Sequence, residues 1–162
     1  MKSLILIRHA KSSWDFPVTD KERPLLESGI KNIKKVARKA LVSLPQKKTI
    51  WSSTATRASH TARLFCETAS IGQDSIVFKD SLYTFDGDKL ENEIRKCENE
   101  TENLILFGHN EAITNIVNKF GDRFIMNVPT AGFVHLQFEQ DRWQDIGKGS
   151  IVKVIFPKEI TE

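Results

Sequence analysis

The segment from Leu4 to Ser13 constrains the fold more than any other part of the sequence, because a short apolar run ends there in an arginine and a histidine. Leu4 to Ile7 are consecutive aliphatic residues, a pattern typical of a strand buried on both faces of a parallel sheet. Arg8 and His9 follow directly and therefore lie at the carboxyl end of that strand, where open α/β sheets bind ligands. Arginine suits phosphate, and histidine can act as a nucleophile or proton carrier.

Two later segments place the same residue types at strand ends. A predicted strand from Thr49 to Ser53 is followed by Arg57 in the first turn of a helix, where the helix N-terminus favours anions. Another predicted strand, Leu104 to Phe107, leads into Gly108 and His109. An Arg-His pair by itself is most simply a solvated strand end. Three such strand ends together would supply an anion site with two arginines and two histidines.

The rest of the chain alternates between patterns typical of helices and of strands. Further helices are predicted from Arg23 to Leu44, Arg57 to Ala69, Leu90 to about Asn99, and Ile113 to Phe120. Further strands are predicted at Ser75 to Phe78, Phe133 to Phe138 and Ser150 to Phe156, the last two joined by a hairpin turn at Gly147 to Gly149. This order predicts a three-layer α/β/α sandwich with a mostly parallel central sheet, in a single domain of residues 1–162.

Composition and cysteine usage exclude several classes of protein. The net charge of +3 is too small for a dedicated nucleic-acid binder. Cys66 and Cys97 lack the spacing of a metal or disulfide pair and are interpreted as buried residues in a reducing compartment. The first apolar run is too short for a signal peptide, and no segment has the length of a membrane span. We therefore expect a cytoplasmic protein, a monomer by preference, without membrane or nucleic-acid partner, metal or cofactor.

These motifs resemble those of the histidine phosphatase superfamily, also called the phosphoglycerate mutase-like fold, whose opening motif matches Arg8-His9-Ala10. The nearer resemblance is to the small SixA-type phosphohistidine phosphatases. It rests on the short chain and on the segments Arg8 to Trp14, Asp20 to Leu25, and Gly108 to Asn110. It extends from Lys2 to about Phe138 and implies a phosphoglycerate mutase-like fold.

The resemblance also implies a catalytic role for each of the four residues at the strand ends. His9 would attack phosphorus and form a phosphohistidine intermediate, which water hydrolyses without a metal ion. Arg8, Arg57 and His109 would converge on the phosphoryl oxygens, with His109 as an imidazolium while phosphate is bound. Further substrate-binding residues are expected at Arg23, near the pocket entrance, and in the loop of Thr130 and Ala131, through its backbone N–H groups.

One departure from the wider superfamily concerns the proton donor. Phosphomonoesterases of this fold usually place a glutamate after the third strand, where this chain has Leu82-Tyr83-Thr84. Asp80, Asp86 and Glu111 are near in sequence, but their spacing alone does not put any of them in the pocket. An alkoxide leaves poorly without an acid, whereas an imidazole leaves as a neutral ring once it is protonated. The missing glutamate therefore favours a substrate with a P–N bond.

Three functions are compatible with these residues. We favour a metal-independent phosphatase that removes phosphate from phosphohistidine of a protein. The alternative is a small-molecule phosphomonoesterase acting on a sugar phosphate, a nucleotide or another acidic metabolite. The third is a non-catalytic phosphate-binding module, and His9 argues against it because such a module needs no nucleophile.

Overall fold

The computed structural model describes residues 1–161, which form six strands and four α-helices connected by loops and short 3-10 turns. The strands are β1 (Lys2–Arg8), β2 (Thr49–Ser53), β3 (Ile76–Lys79), β4 (Asn103–Gly108), β5 (Phe133–Phe138) and β6 (Ser150–Ile155). The helices are α1 (Glu27–Ala40), α2 (Thr56–Thr68), α3 (Gly87–Arg95) and α4 (Ala112–Phe120).

The strands form one sheet in the order β3-β2-β4-β1-β5-β6, with β1 in its interior. β1 pairs in parallel with β4, and β2 pairs in parallel with both β4 and β3. β5 is antiparallel to β1 and to β6. The sheet is therefore mostly parallel and carries helices on both faces, which confirms the predicted α/β/α sandwich.

The two hydrophobic cores follow from the alternation of side chains along β1. Leu4 and Leu6 lie in the cluster that includes residues of α3 and α4, whereas Ile5 and Ile7 lie in the cluster that includes residues of α1 and α2. All four side chains are at most 1% exposed. A strand that is apolar on both faces is stable only where layers cover both faces. The apolar run therefore fixes β1 in the sheet interior and Arg8 at its carboxyl end.

The first helix is shorter than the sequence predicted. α1 begins at Glu27 and ends at Ala40, whereas the expected helix ran from Arg23 to Leu44. Arg23 is extended, with a ψ of 126°, because the following Pro24 disfavours the helical conformation of the residue before it. The extended segment turns the Arg23 side chain towards the loop after β1, where it bonds to the Ser12 hydroxyl.

The connection between β5 and β6 also differs from the expected tight turn at Gly147 to Gly149. It occupies residues 139–149 and contains a 3-10 turn at Trp143–Asp145. Trp143 is 0% exposed, and its Nε1 donates to the carbonyl of Thr101 at 2.8 Å. Because a buried indole with a satisfied N–H adds a large apolar surface, this connection forms part of the core.

Both cysteines are free and buried, as predicted. Cys97 lies just beyond α3, which ends at Arg95 and not near Asn99. Among residues 1–161, no helix combines the length and the hydrophobicity that crossing a bilayer requires.

At Gly29 the backbone of α1 lies in close contact with the loop after β1. The backbone N–H of Leu26 donates to the carbonyl of Lys11 at 2.9 Å. A Cβ at position 29 would lie 2.4 Å from that same carbonyl oxygen and 2.9 Å from the Lys11 nitrogen. Backbone atoms cannot rotate away as a side chain can, so this position requires glycine for the close contact.

Gly29→Ala is therefore expected to lower the free energy of unfolding by about 1–3 kcal/mol, in the range found for overpacked contacts. Chemical denaturation monitored by circular dichroism measures the change. Gly72→Ala is the matched control, because a Cβ there meets only the Asp74 side-chain oxygen at 3.2 Å. Equal stability of the Gly29→Ala protein and the wild type would contradict the proposed contact.

Candidate active site

Three neighbouring strands bring four of the predicted site residues to one edge of the sheet. Arg8 ends β1 and His9 follows it, Arg57 lies in the first turn of α2 after β2, and His109 follows β4. β2, β4 and β1 are adjacent and parallel, so their carboxyl ends lie side by side. Arg8 pairs in register with Gly108, and the centroids of the His9 and His109 rings are 5.3 Å apart.

His9 is held in one tautomer by the backbone. Its Nδ1 lies 2.7 Å from the carbonyl oxygen of Ala10, and because a carbonyl only accepts, Nδ1 carries the proton. In the neutral ring Nε2 is then unprotonated, and its lone pair accepts a long hydrogen bond from the Nε of Arg57 at 3.4 Å. Burial, with Arg57, Arg8 and Arg23 nearby, lowers the pKa of His9 to about 3, although the Ala10 bond opposes this. The ring is therefore neutral and nucleophilic at neutral pH.

His109 is buried beside His9 and has one nitrogen without a partner. Its Nε2 lies 2.8 Å from the Ser53 hydroxyl, and its Nδ1 is buried without a hydrogen-bond partner among residues 1–161. The rings of Tyr83 and Phe85 flank it, with centroids 5.3 Å and 5.5 Å away. Burial, followed by the charges of His9 and Arg57, lowers the pKa of His109 to about 3. His109 is thus a neutral side chain with a nitrogen available to a ligand.

Arg8 is anchored on one side only. Its Nη1 donates to the carbonyl of Val128 at 2.9 Å, while its Nε is buried without a partner in the described part of the chain. Buried polar atoms normally have partners, so an unpaired guanidinium N–H and an unpaired imidazole nitrogen at the same edge of the sheet indicate a site for a polar ligand. Donors on a cationic side chain favour an anion.

Asp20 is the site residue that sequence reasoning missed. It belongs to the 3-10 turn Asp20–Glu22, and it is the acceptor for three side chains. Arg57 donates through Nη1 to the backbone carbonyl of Asp20 at 2.6 Å and through Nη2 to its Oδ2 at 3.0 Å. The Nε of Arg23 donates to Oδ1 at 3.2 Å, and the Tyr83 hydroxyl donates to Oδ2. The sequence indicated a role for Asp20 only through its place in the Asp20 to Leu25 segment, which carries part of the family resemblance.

These partners keep Asp20 ionised. Burial raises the pKa of the carboxyl, but the hydrogen bonds from Tyr83 and Arg57, the Arg57 charge and the Arg23 bond outweigh this and lower the pKa to about 2. The Asp20 bond in turn raises the pKa of Tyr83. At neutral pH neither group is ready to give up a proton, so neither is suited to act as a general acid.

Thr61 is a second residue of the site that no sequence motif predicted. Its Oγ1 donates to the carbonyl of Arg57 at 2.6 Å and accepts from the backbone N–H of Ala10 at 2.9 Å. Thr61 is 0% exposed. One buried hydroxyl thereby joins the start of α2 to the turn after His9, which sets the separation of Arg57 and His9.

A cleft of about 350 Å³ opens above Arg8 and His9, and Arg23 and Thr130 are among its lining residues. The Nη1 of Arg23 donates to the Ser12 hydroxyl at 2.8 Å, which holds Arg23 against the loop after His9. A larger cleft of about 710 Å³ lies along β6, and no histidine or cysteine lines it.

The backbone N–H of Ala131 was expected to bind substrate, but it already donates hydrogen bonds within the protein. Its backbone N–H donates to the carbonyls of Arg8 and His9 at 3.1 Å each, and the residue is 0% exposed, with a positive φ of 62°. This amide fastens the loop to the end of β1 and is not available to a ligand. Thr130 lines the cleft.

The three carboxylates considered as proton donors all lie on exposed residues. Asp80 accepts from Thr54 and Lys21, and Asp86 caps α3 by accepting from the backbone N–H of Asp88. Glu111 is the residue before α4. In the segment expected to hold a glutamate, the Tyr83 ring is the group that contacts His109. Within residues 1–161, no three His, Cys, Asp or Glu side chains cluster as a metal site requires.

The buried histidines predict a dependence of stability on pH. A histidine in the unfolded chain binds a proton below its ordinary pKa of 6.5, whereas folded His9 and His109 do so only near pH 3. The unfolded state therefore binds more protons in this window, and stability is lost as the pH falls. Each histidine contributes up to about 1.4 kcal/mol per pH unit.

His9→Asn and His109→Asn should each flatten the decline in the free energy of unfolding between pH 7 and pH 5, measured by urea denaturation in a buffer without oxyanions. His60→Asn is the control, since His60 is less buried and should change the slope less. Unchanged slopes in both test variants would show that the two rings bind protons equally in the folded and unfolded states, which contradicts lowered pKa values in the folded protein.

Comparison with solved structures identifies the fold. The chain aligns with the protein histidine phosphatase SixA in complex with tungstate at a TM-score of 0.80 and 15% identity, over 96% of this chain and 97% of that one. It aligns with a candidate phosphohistidine phosphatase SixA from Agrobacterium tumefaciens at a TM-score of 0.78 and 24% identity, over 96% and 99%. It aligns with a mycobacterial glucosyl-3-phosphoglycerate phosphatase at a TM-score of 0.66 and 13% identity, over 93% and 97%.

No curated protein sequence matches the chain significantly. A sequence model of the histidine phosphatase superfamily (branch 1) matches residues 4–93, a span that includes Arg8, His9, Asp20 and Arg57. The solved structures named above share the phosphoglycerate mutase-like fold over nearly their whole length. The chain therefore belongs to the histidine phosphatase superfamily and is a phosphatase.

Proposed function

We propose that this phosphatase works without a metal ion through a phosphohistidine intermediate on His9, and that its substrate is phosphohistidine of a protein. The observation that carries the proposal is the electrostatic state of the site. The nucleophilic imidazole is neutral, with an unprotonated Nε2, and the Asp20 carboxylate that binds Arg57 is held as an anion.

The first step uses the Nε2 lone pair of His9, and the Nε of Arg57, which donates to it at 3.4 Å, would turn to the phosphoryl group instead. Its Nε2 attacks phosphorus, the new P–N bond forms as the bond to the leaving group breaks, and the leaving imidazole takes a proton from solvent. Water then attacks the phosphorus of the intermediate and releases inorganic phosphate and His9. The bond from His9 Nδ1 to the Ala10 carbonyl supports this role, since it stabilises the charge that the ring acquires.

The phosphoryl oxygens would be bound by Arg8, Arg57 and His109. The unpartnered Nε of Arg8 and the unpartnered Nδ1 of His109 support this assignment. His109 Nδ1 carries a proton when the Ser53 hydroxyl donates to Nε2, and the Ala55 N–H bonded to the same hydroxyl oxygen, at 3.2 Å, is compatible with that direction. A bound phosphate dianion would also raise the pKa of His109 and favour the imidazolium.

A protein-sized substrate is supported by the surface beside the cleft. Trp14, Phe16 and Val18 follow the catalytic segment and are 76%, 58% and 43% exposed. The Trp14 ring stacks on the Arg23 guanidinium, which lies 3.5 Å from the ring centroid. Exposed aromatic side chains next to an arginine are typical of surfaces that contact another protein.

A small acidic metabolite is the alternative substrate. It is favoured by the size of the cleft, about 350 Å³, and by the presence of Lys11, Arg8 and Arg23 among its lining residues. These cations would attract further phosphate or carboxylate groups on the same molecule. The dependence of rate on the leaving group distinguishes this substrate from phosphohistidine.

His9→Asn is expected to lower kcat on an aryl phosphate by more than about 10³-fold, because the variant has no nucleophile. Brief incubation with labelled substrate should place acid-labile phosphate on the wild-type chain and none on the variant. His60→Asn, one helical turn after Arg57, is the control and should keep both activity and label. Full turnover by His9→Asn would refute the mechanism.

The rate should fall steeply as the leaving group becomes more basic. Phosphohistidine and activated aryl phosphates should be cleaved at least about 10²-fold faster than alkyl phosphates, since a general acid is worth roughly 10²–10⁴ in rate and the Asp20 carboxylate is held as an anion. A panel of phosphohistidine protein, sugar phosphates and nucleotides, assayed with a chelator present, measures this. A flat dependence on leaving-group pKa would favour the metabolite phosphatase.

A further inference from the structure

We propose that Asp20 is a positioning residue that fixes which edge of the Arg57 guanidinium faces the transferred phosphoryl group. This inference rests on the proposed function, in which Arg57 binds the phosphoryl group beside His9. Neither the family match nor the motif that begins the sequence assigns a role to this carboxylate.

The hydrogen bonds of Arg57 divide its guanidinium into two edges. The outer edge, formed by Nη1 and Nη2, is bound by Asp20 through the backbone carbonyl at 2.6 Å and Oδ2 at 3.0 Å. The other edge, formed by Nε and the second N–H of Nη2, faces the Nε2 of His9, with Nε 3.4 Å away. Both edges of an arginine can grip an oxyanion with two parallel hydrogen bonds. With the outer edge held, only the edge beside the nucleophile remains for the phosphoryl oxygens.

Asp20 is itself fixed by two further side chains. The Tyr83 hydroxyl shares Oδ2 with Arg57, and the Nε of Arg23 takes Oδ1. Arg23 is only 7% exposed, and Arg57 only 1%. The carboxylate is thus bound from three separate segments of the chain and cannot rotate freely, so it can hold Arg57 in a single orientation.

Charge alone does not explain this arrangement. A carboxylate next to a phosphate site repels the substrate, so an aspartate that acted only through its charge would weaken binding. An aspartate that blocked the site as a substitute for phosphate would occupy the edge next to His9, and Asp20 occupies the outer edge instead. The geometry fits orientation of Arg57, for which a misplacement of about 1 Å can cost about 10²-fold in rate.

The test compares steady-state kinetics on an aryl phosphate for the wild type and Asp20→Asn. The variant keeps the shape of the side chain and removes the charge that fixes Arg57. We expect kcat to fall about 10–10²-fold, while KM does not rise, because the repulsion of the phosphoryl group is removed as well. A higher KM with unchanged kcat would mean that Asp20 contributes only uniform binding and would overturn the proposal.

Asp80→Asn is the matched control. Asp80 is an exposed aspartate that pairs with Lys21, the neighbour of Asp20 in the same 3-10 turn, at 3.4 Å. Its loss removes an ion pair from that turn without touching Arg57, and its kinetics should match the wild type. A similar loss of kcat in both variants would mean that any disturbance of the turn slows the enzyme, which contradicts a specific role for Asp20.

A double-mutant cycle with Arg57→Lys tests whether Asp20 influences kcat through Arg57. Lysine has no second edge to orient, so Asp20→Asn should change kcat less than about 3-fold in the Arg57→Lys background. An undiminished loss in that background would show that Asp20 does not act through Arg57.

Tyr83→Phe provides a second variant should Asp20→Asn fail to fold. It removes one donor that holds the carboxylate and should lower kcat about 2–10-fold without raising KM; unchanged kcat would count against the proposal.

The outcomes separate this inference from the proposed function. If the wild type carries no labelled phosphate, or His9→Asn is fully active, the phosphohistidine mechanism is wrong. If the wild type is labelled, His9→Asn is inactive and Asp20→Asn has the wild-type kcat, the mechanism stands and the positioning role of Asp20 is wrong.

Discussion

The interaction on which the site depends is the pairing of the buried Arg57 guanidinium with Asp20. Arg57 is 1% exposed, and a buried cation without a partner costs several kcal/mol. A backbone carbonyl and a carboxylate from the turn at Asp20–Glu22 satisfy its outer edge. This pairing joins α2 to the segment before α1, and it lets a charged group remain in a place from which water is largely excluded.

The same burial determines the state of the two histidines. Desolvation, together with the positive charges of the neighbouring arginines, lowers the pKa of both His9 and His109 to about 3. A neutral imidazole is a nucleophile and an imidazolium is not. The cations that would bind a phosphoryl group therefore also keep His9 in its reactive form, and the Ala10 carbonyl selects the tautomer with an unprotonated Nε2.

The proposed preference for a substrate with a P–N bond rests on the position and ionisation of the Asp20 carboxylate. A proton donor to a leaving alkoxide needs a carboxyl group with a raised pKa close to the leaving oxygen. Asp20 has the opposite character, because Tyr83, Arg57 and Arg23 lower its pKa to about 2. Tyr83, from the segment in which a glutamate is usual, directs its hydroxyl at Asp20 and its ring at His109. These contacts support the proposed phosphohistidine substrate, because its leaving group needs little help from a general acid.

The sequence by itself determined the sheet interior and the four residues at its edge. Leu4 to Ile7 are apolar on both faces of a strand, and that pattern is satisfied only under two covering layers, so the end of β1 had to carry Arg8 and His9 to the ligand-binding edge. The positions of Arg57 and His109 followed from the same rule. Only the tertiary structure decided the contacts made across long separations in sequence: Asp20 with Arg57 and Tyr83, Thr61 with Ala10, and the Ala131 amide with the end of β1. The periodicity of a sequence records which face of an element is buried, whereas the partner of a polar side chain depends on how separate segments pack, and no local pattern records that.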